Sequence, residues 1–198
     1  MTTDLMLAFA GFAFVSSITP GPNNAMLLAS GVNFGFRRTM PHIAGIAFGC
    51  VVMLVLVGFG LGEAFAAVPG LYDALRWAGA AYLLWLAWAI ARSGPTAERP
   101  AGGRPFGFWP AAFFQWVNPK AWIMVVGAVS TYAPPDGFAR NVAVLALLLV
   151  VVNLPSTSVW AAFGTILRPL LADPARIRVF NVVMALLLVL SLVPVVTG

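Results

Sequence analysis

The sequence predicts an all-α integral membrane protein: six transmembrane helices forming two inverted three-helix repeats, with helices 1 and 4 broken by proline. Three observations predict it. Apolar residues make up 61% of the 198 and charged residues only 9%, with a mean hydropathy of +0.94, whereas a soluble domain carries about a quarter of its residues charged. The apolar residues fall into six runs, and six crossings of roughly 20 residues each leave short loops and no room for a soluble domain of ordinary size. The first and fourth runs both carry proline near the middle or somewhat beyond. Residues 1–198 therefore read as a single membrane domain.

The first run is Leu5 to Ser30, interrupted at Thr19-Pro20-Gly21-Pro22, and the second is Pro41 to Leu61, opened by a proline that suits a helix's first turn. Leu71 to Ala91 is the third, weighted with Trp77, Tyr82, Trp85 and Trp88, whose rings suit packing and the membrane–water boundary. A Pro/Gly-rich cytoplasmic connector, residues 93–105, joins the halves 1–92 and 106–198. The fourth run is Phe106 to Tyr132, interrupted at Asn118-Pro119-Lys120; the fifth is Asn141 to Leu167, with Pro155 inside; the sixth is Phe180 to Val196. Proline inside the fifth run reads as a kink that neighbouring helices can accommodate.

Charge supports the count. Arg37, Arg38, Arg92, Arg99, Arg104, Arg168, Arg176 and Arg178 fall between runs on one face, against Arg76 and Arg140 on the other. Basic residues favour the cytoplasm, so both termini are expected outside. The net charge of +5 does not imply nucleic acid, because the basic residues form no stripe on a polar face. Cys50 is the sole cysteine and His42 the sole histidine, so no disulfide framework, metal centre or cofactor site is expected. Asp4 stands where a signal peptide would carry basic residues, and a cleaved leader is not expected.

Three runs on each side of the connector make the second half cross in the opposite sense to the first. Matching interrupted helices in inverted halves point to a transport site between them. Pro20, Pro22 and Pro119 lack amide hydrogens and free the carbonyls of Ser16, Ile18 and Gln115. Asn118 then reads as an N-cap with Pro119 in the first turn, and Pro22 and Asn23 begin the second half of span 1. Two positive helix ends would converge in the membrane interior, with freed carbonyls beside them. Such a site suits a zwitterion, its carboxylate on the amides and Lys120, its ammonium on the carbonyls. Lys120 in mid-span costs about 2.5–3.5 kcal/mol on insertion scales and lies too deep to reach water along its own stem.

Thr19-Pro20-Gly21-Pro22-Asn23-Asn24, then Ser30-Gly31, Gly35-Phe36-Arg37-Arg38 and Gly45 to Gly49, resembles the opening signature of the LysE/RhtB family of amino-acid exporters. The likeness continues through Trp77 to Trp88, through Phe114-Gln115-Trp116-Val117-Asn118-Pro119-Lys120, and on to Asn153 and Trp160, covering nearly the whole chain. The third-span block and Ser130-Thr131 look closest to the cysteine and O-acetylserine efflux branch. The resemblance implies about six spans in the bacterial inner membrane, an amino-acid substrate and proton coupling. It also carries the candidate substrate-binding set: Thr19, Pro20, Gly21, Pro22, Asn23, Asn24, Gln115, Asn118, Pro119, Lys120, Asn153 and Trp160.

Gln115 and Asn153 suit either interhelical hydrogen bonding or the pathway itself. The Gly45–Gly49 spacing suits close packing inside the bundle first and a homodimer contact second. His42 reads first as a surface or capping group at the cytoplasmic end of span 2; its titration range makes it, with Lys120, a proton-coupling candidate. All six acidic residues fall in loops or at span ends, which favours neutral over dibasic amino acids. Rival readings are a channel, a metal-ion exporter and an intramembrane enzyme built on Ser16, Ser17 and His42. The enzyme is rejected because no third orienting group accompanies them. Lipid is the remaining expected partner.

Overall fold

The computed structural model describes residues 1–61, 70–92, 105–190 and 192–193. Glu63, Glu98, Arg99, Arg104, most of the connector and residues 194–196 of the sixth expected span lie outside them. Among the described residues the chain is all-helical: α1 Thr3–Ile18, α2 Pro22–Phe34, α3 Phe36–Leu56, α4 Leu71–Ala91, α5 Phe108–Phe114, α6 Pro119–Tyr132, α7 Phe138–Leu167 and α8 Pro174–Leu190. The Thr2 side chain accepts the Leu5 amide at 3.4 Å, and Asp4 sits in the first turn, where the positive helix end favours it. Asp173 Oδ1 caps α8 by accepting the Ala175 and Arg176 amides at 2.8 and 3.0 Å.

Among the described residues two segments, Phe36–Gly60 and Phe138–Leu167, are long and apolar enough to cross a membrane; α1 with α2 passes as a third, bent by 56° at its break. The surface matches. Leu7, Ile123, Leu147 and Ile166 are each more than 60% exposed, which in water would be an unsatisfied apolar exterior but in lipid is the required one. Inside, Phe9, Leu27, Ile46, Met53, Val125 and Leu149 join α1, α2, α3, α6 and α7 in one core. A second core brings Leu83 and Leu86 of α4 onto Leu188 of α8, Met26 and Phe114.

Several boundaries differ from expectation. α2 runs on to Phe34, and α3 starts at Phe36, because Gly35 with φ of 81° turns the chain between them in one residue. Arg37 and Arg38 thus open α3 rather than lying in a loop, and Pro41 lies inside the helix rather than at its first turn. Arg176 and Arg178 likewise belong to α8, which the Asp173 cap starts before the apolar run begins. Pro155 interrupts nothing; α7 is one helix of 30 residues.

Glycine sets the closest approaches. A Cβ built on Gly31 would sit 2.2 Å from the Ala161 carbonyl oxygen, and one on Gly164 would sit 2.2 Å from that of Leu28, so α2 and α7 cross backbone to backbone. Gly45 and Gly49 do the same for α3 and α5, against the carbonyl oxygens of Phe108 and Ala112 at 2.2 and 2.5 Å. That motif is therefore spent within the bundle, as first expected, and offers no glycine face to a second copy. Gly31→Ala or Gly164→Ala should destabilise the protein by about 1–3 kcal/mol through overpacking. Gly11→Ala, with nothing within 4 Å of the added Cβ, should not; thermal unfolding of the three variants in detergent separates them.

Candidate functional site

The site is built where the two interrupted segments meet. α1 ends at Ile18, its last turn closed by the Thr19 amide on Val15 oxygen at 3.1 Å. Thr19 and Gly21 are extended, and Pro22 takes the first helical position of α2, where its missing amide hydrogen costs nothing. In the other segment α5 tightens into a 3₁₀ turn, Gln115–Val117, before Asn118 breaks the helix with extended geometry. Asn118 Oδ1 then accepts the Lys120 amide at 3.2 Å and caps α6. The break residues expected from proline chemistry are those observed.

Contacts across the breaks are specific. Lys120 Nζ donates to the Thr19 oxygen at 2.6 Å and the Pro20 oxygen at 3.3 Å. Its stem lies over Gly21, where an added Cβ would come within 3.0 Å of Lys120 Cδ. Asn23 and Gln115 exchange two bonds, Asn23 Nδ2 to Gln115 Oε1 at 2.8 Å and Gln115 Nε2 to Asn23 Oδ1 at 3.1 Å. Gln115 is fully buried, and its Oε1 also accepts from Asn118 Nδ2 at 3.4 Å and the Cys50 thiol at 3.7 Å. The Trp160 indole donates to the Ile18 oxygen at 3.2 Å, and Asn24 Nδ2 to the oxygens of Ser17 and Thr19 at 2.8 Å each.

These contacts surround a cavity of about 30 Å³, room for a water or two rather than an amino acid. Its polar wall comes from Ser16 and Ser17 of α1, Asn23 and Asn24 of α2, Asn118 and Lys120, and Asn153 and Thr157 of α7; Cys50, Ala121 and Met124 supply the rest with Gly21. Among the described residues Lys120 is the charged member of the lining, and no carboxylate joins it. α2 has no side-chain cap, so the first-turn amides after Pro22 have no side-chain acceptor at this helix end.

The chain's match to the LysE type translocator model runs over residues 14–195. The chain belongs to that family. Among relatives of this LysE type translocator, the Cysteine/O-acetylserine efflux proteins of Escherichia coli strain K12 and strain HS are each 36% identical over 191 residues, covering 96% of both chains. The protein of the same name from Salmonella typhimurium is 35% identical over the same span. No solved structure matches. The LysE type translocator is thus a multi-pass membrane transport protein and not an enzyme, and the likeness to the cysteine and O-acetylserine branch holds over nearly the whole length.

Of the expected site residues, Gly21, Asn23, Asn24, Asn118, Lys120 and Asn153 line the cavity, while Thr19, Pro20, Gln115 and Trp160 hold those residues in place from just behind. Pro22 and Pro119 act through the backbone, each starting a helix. His42 corrects the reading of it as a surface or capping group. Because α3 begins at Phe36, His42 falls within the packed helix, fully buried and edge-on to Phe106 at 5.0 Å; neither ring nitrogen has a hydrogen-bond partner among the described residues. It does not line the cavity, nor does it bond Ser17, whose hydroxyl accepts from Asn153 instead. Ser16 was expected there only through its freed carbonyl, and Ser17, Cys50, Ala121, Met124 and Thr157 were not expected in the site. Thr157 could have been, standing one helical turn after Asn153 on the same face.

If the Asn23–Gln115 exchange ties the breaks together, Asn23→Ala and Gln115→Ala should be non-additive. A coupling of about 0.6–1.7 kcal/mol is expected from interhelical bonds in membranes; a double-mutant cycle on unfolding in detergent measures it, and simple additivity contradicts it.

Proposed function

We propose that the protein is a secondary transporter that exports small neutral amino acids or their derivatives from the cytoplasm by alternating access. One observation carries the reading: the two proline-broken segments are joined at a polar cavity by the Lys120 ammonium on the Thr19 and Pro20 carbonyls. Irregular backbone at membrane depth is tolerated only where it lines a cavity or is buried in protein. Pairing such breaks in two halves is the arrangement of a carrier with its site near the midplane.

The larger frame belongs to the proposal. Six spans form inverted repeats 1–92 and 106–198, with α1–α2 and α5–α6 as the broken first span of each. Both termini face the periplasm and the connector faces the cytoplasm. The basic ends of α3, α7 and α8 support this orientation: Arg168 approaches Gly35 at the α2–α3 turn, with Asn33 bonded to Asn181 nearby. The relatives named for cysteine and O-acetylserine efflux support a small, polar, zwitterionic cargo in a bacterial inner membrane.

In the proposed mechanism the substrate carboxylate meets the uncapped amides that open α2, together with Lys120. An ammonium carries three hydrogens, and two are engaged with the Thr19 and Pro20 oxygens. The third remains for the carboxylate. Since the cavity holds little more than water, substrate must part the two broken segments to enter, and this makes binding and opening one event. The family likeness supports proton coupling as part of this reading, with Lys120 and His42 as the groups that would carry it.

The test is flux of O-acetyl-L-serine into proteoliposomes, with and without a pH gradient. Saturable counterflow is expected, and linear, unsaturable flux would favour a channel. Lys120→Gln should cut the rate tenfold or more, about 1.4 kcal/mol or more of lost stabilisation, with Lys120→Arg intermediate. Transport by Lys120→Gln at the wild-type rate would remove the lysine from the site.

A further inference from the structure

The cavity of the proposed carrier has a second pole that the proline breaks do not supply. Beyond Ser16, the carbonyl oxygens at the end of α1 are already engaged: Ser17 by Asn24, Ile18 by Trp160, Thr19 by Asn24 and Lys120, and Pro20 by Lys120. A substrate ammonium arriving there would have to displace an internal donor at each. On α7 the situation is the reverse. Asn153 is 3% exposed and lines the cavity, and its Oδ1 is the one buried side-chain oxygen without a hydrogen-bond partner among the described residues. Its Nδ2 donates to Ser17 Oγ at 3.1 Å, which directs the amide oxygen away from Ser17.

Thr157, one turn further along the same face, has committed its hydroxyl hydrogen to the backbone oxygens of Asn153 and Leu154, at 2.7 and 3.2 Å. Towards the cavity it can therefore only accept. Two neighbouring acceptors repel a carboxylate and under-use a lone hydroxyl, but they match a group with several hydrogens. A buried acceptor left without a partner is costly, so this oxygen favours a donor.

We infer that Asn153, with Thr157 beside it, binds the substrate's primary ammonium group and is the residue that selects amines over their deaminated counterparts. This rests on the proposed amino-acid export and assigns its ammonium pole to α7 rather than to the freed carbonyls of α1. α-Amino acids with a free amine are then the accepted class, and the corresponding acids without it are rejected.

The test is ligand-induced thermal stabilisation of the full chain in detergent under reducing conditions, with L-cysteine, cysteamine and 3-mercaptopropionate as probes, run beside flux of L-cysteine. The wild type should respond to L-cysteine, more weakly to cysteamine, and least to 3-mercaptopropionate. Asn153→Ala should raise the half-saturating concentration of both amines at least tenfold and leave the deaminated acid unchanged. Asn153→Asp, which keeps an acceptor oxygen, should restore amine binding at least in part, and should do so even where the Ala variant fails to fold. Equal weakening of all three probes, an Asp variant no better than Ala, or a wild type indifferent to the amine overturns the assignment. Amine binding through Asn153 without cysteine flux would instead sink the export reading and leave the assignment standing; cysteine flux with amine preference intact in Asn153→Ala would do the opposite.

Discussion

A lysine ammonium resting on two backbone carbonyls organises this molecule. In hydrocarbon, a cation and a pair of carbonyls released from a helix are each expensive on their own. Lys120 comes from the second broken segment and the Thr19 and Pro20 oxygens from the first, so each break completes the other, with Asn24 adding a bond to Thr19 from within its own segment. The two breaks must come together. The Asn23–Gln115 exchange, the Asn118 cap and the indole of Trp160 then fix their relative position.

The rest of the fold serves to let that meeting happen in the interior. Glycines 31 and 164 bring α2 against α7 with no side chain between the backbones, and glycines 45 and 49 do the same for α3 and α5. These crossings carry Asn153, Thr157 and Cys50 to the wall of the space between the breaks. The volume left is small, and it is bounded by polar groups held by one another. In the proposed carrier such interactions are exchangeable: each internal bond across the cavity would be a contact that a substrate replaces or loosens as the segments part.

Much of this was legible in the sequence, for a definite reason. Proline leaves a local signature, so Pro20, Pro22 and Pro119 announced both breaks, and Asn118 announced its own cap. Composition alone carried the membrane class. What escaped notice depends on tertiary placement. Gly31 and Gly164 lie far apart in the chain, and nothing local says that each presses on the other's helix. Gly35 was read as part of a motif, yet its positive φ moves the start of α3 to Phe36 and carries His42 into the packed interior. Arg176 and Arg178 read as loop because charge stood in for a helix boundary, whereas Asp173 sets the true one. Ser17 and Thr157 look unremarkable in the chain and gain meaning only beside Asn153.

Cys50 offers the most direct view of the central claim, because it is the single cysteine, it is 1% exposed, and it lines the cavity between the breaks. The measurement is the rate of its modification by a small membrane-impermeant thiol reagent, applied from either side of native vesicles with and without O-acetyl-L-serine. A site that opens by parting the two broken segments predicts slow labelling from both sides, with the rate altered by the amino acid. A thiol that never reacts, or that reacts from one side at a rate indifferent to the amino acid, would contradict it.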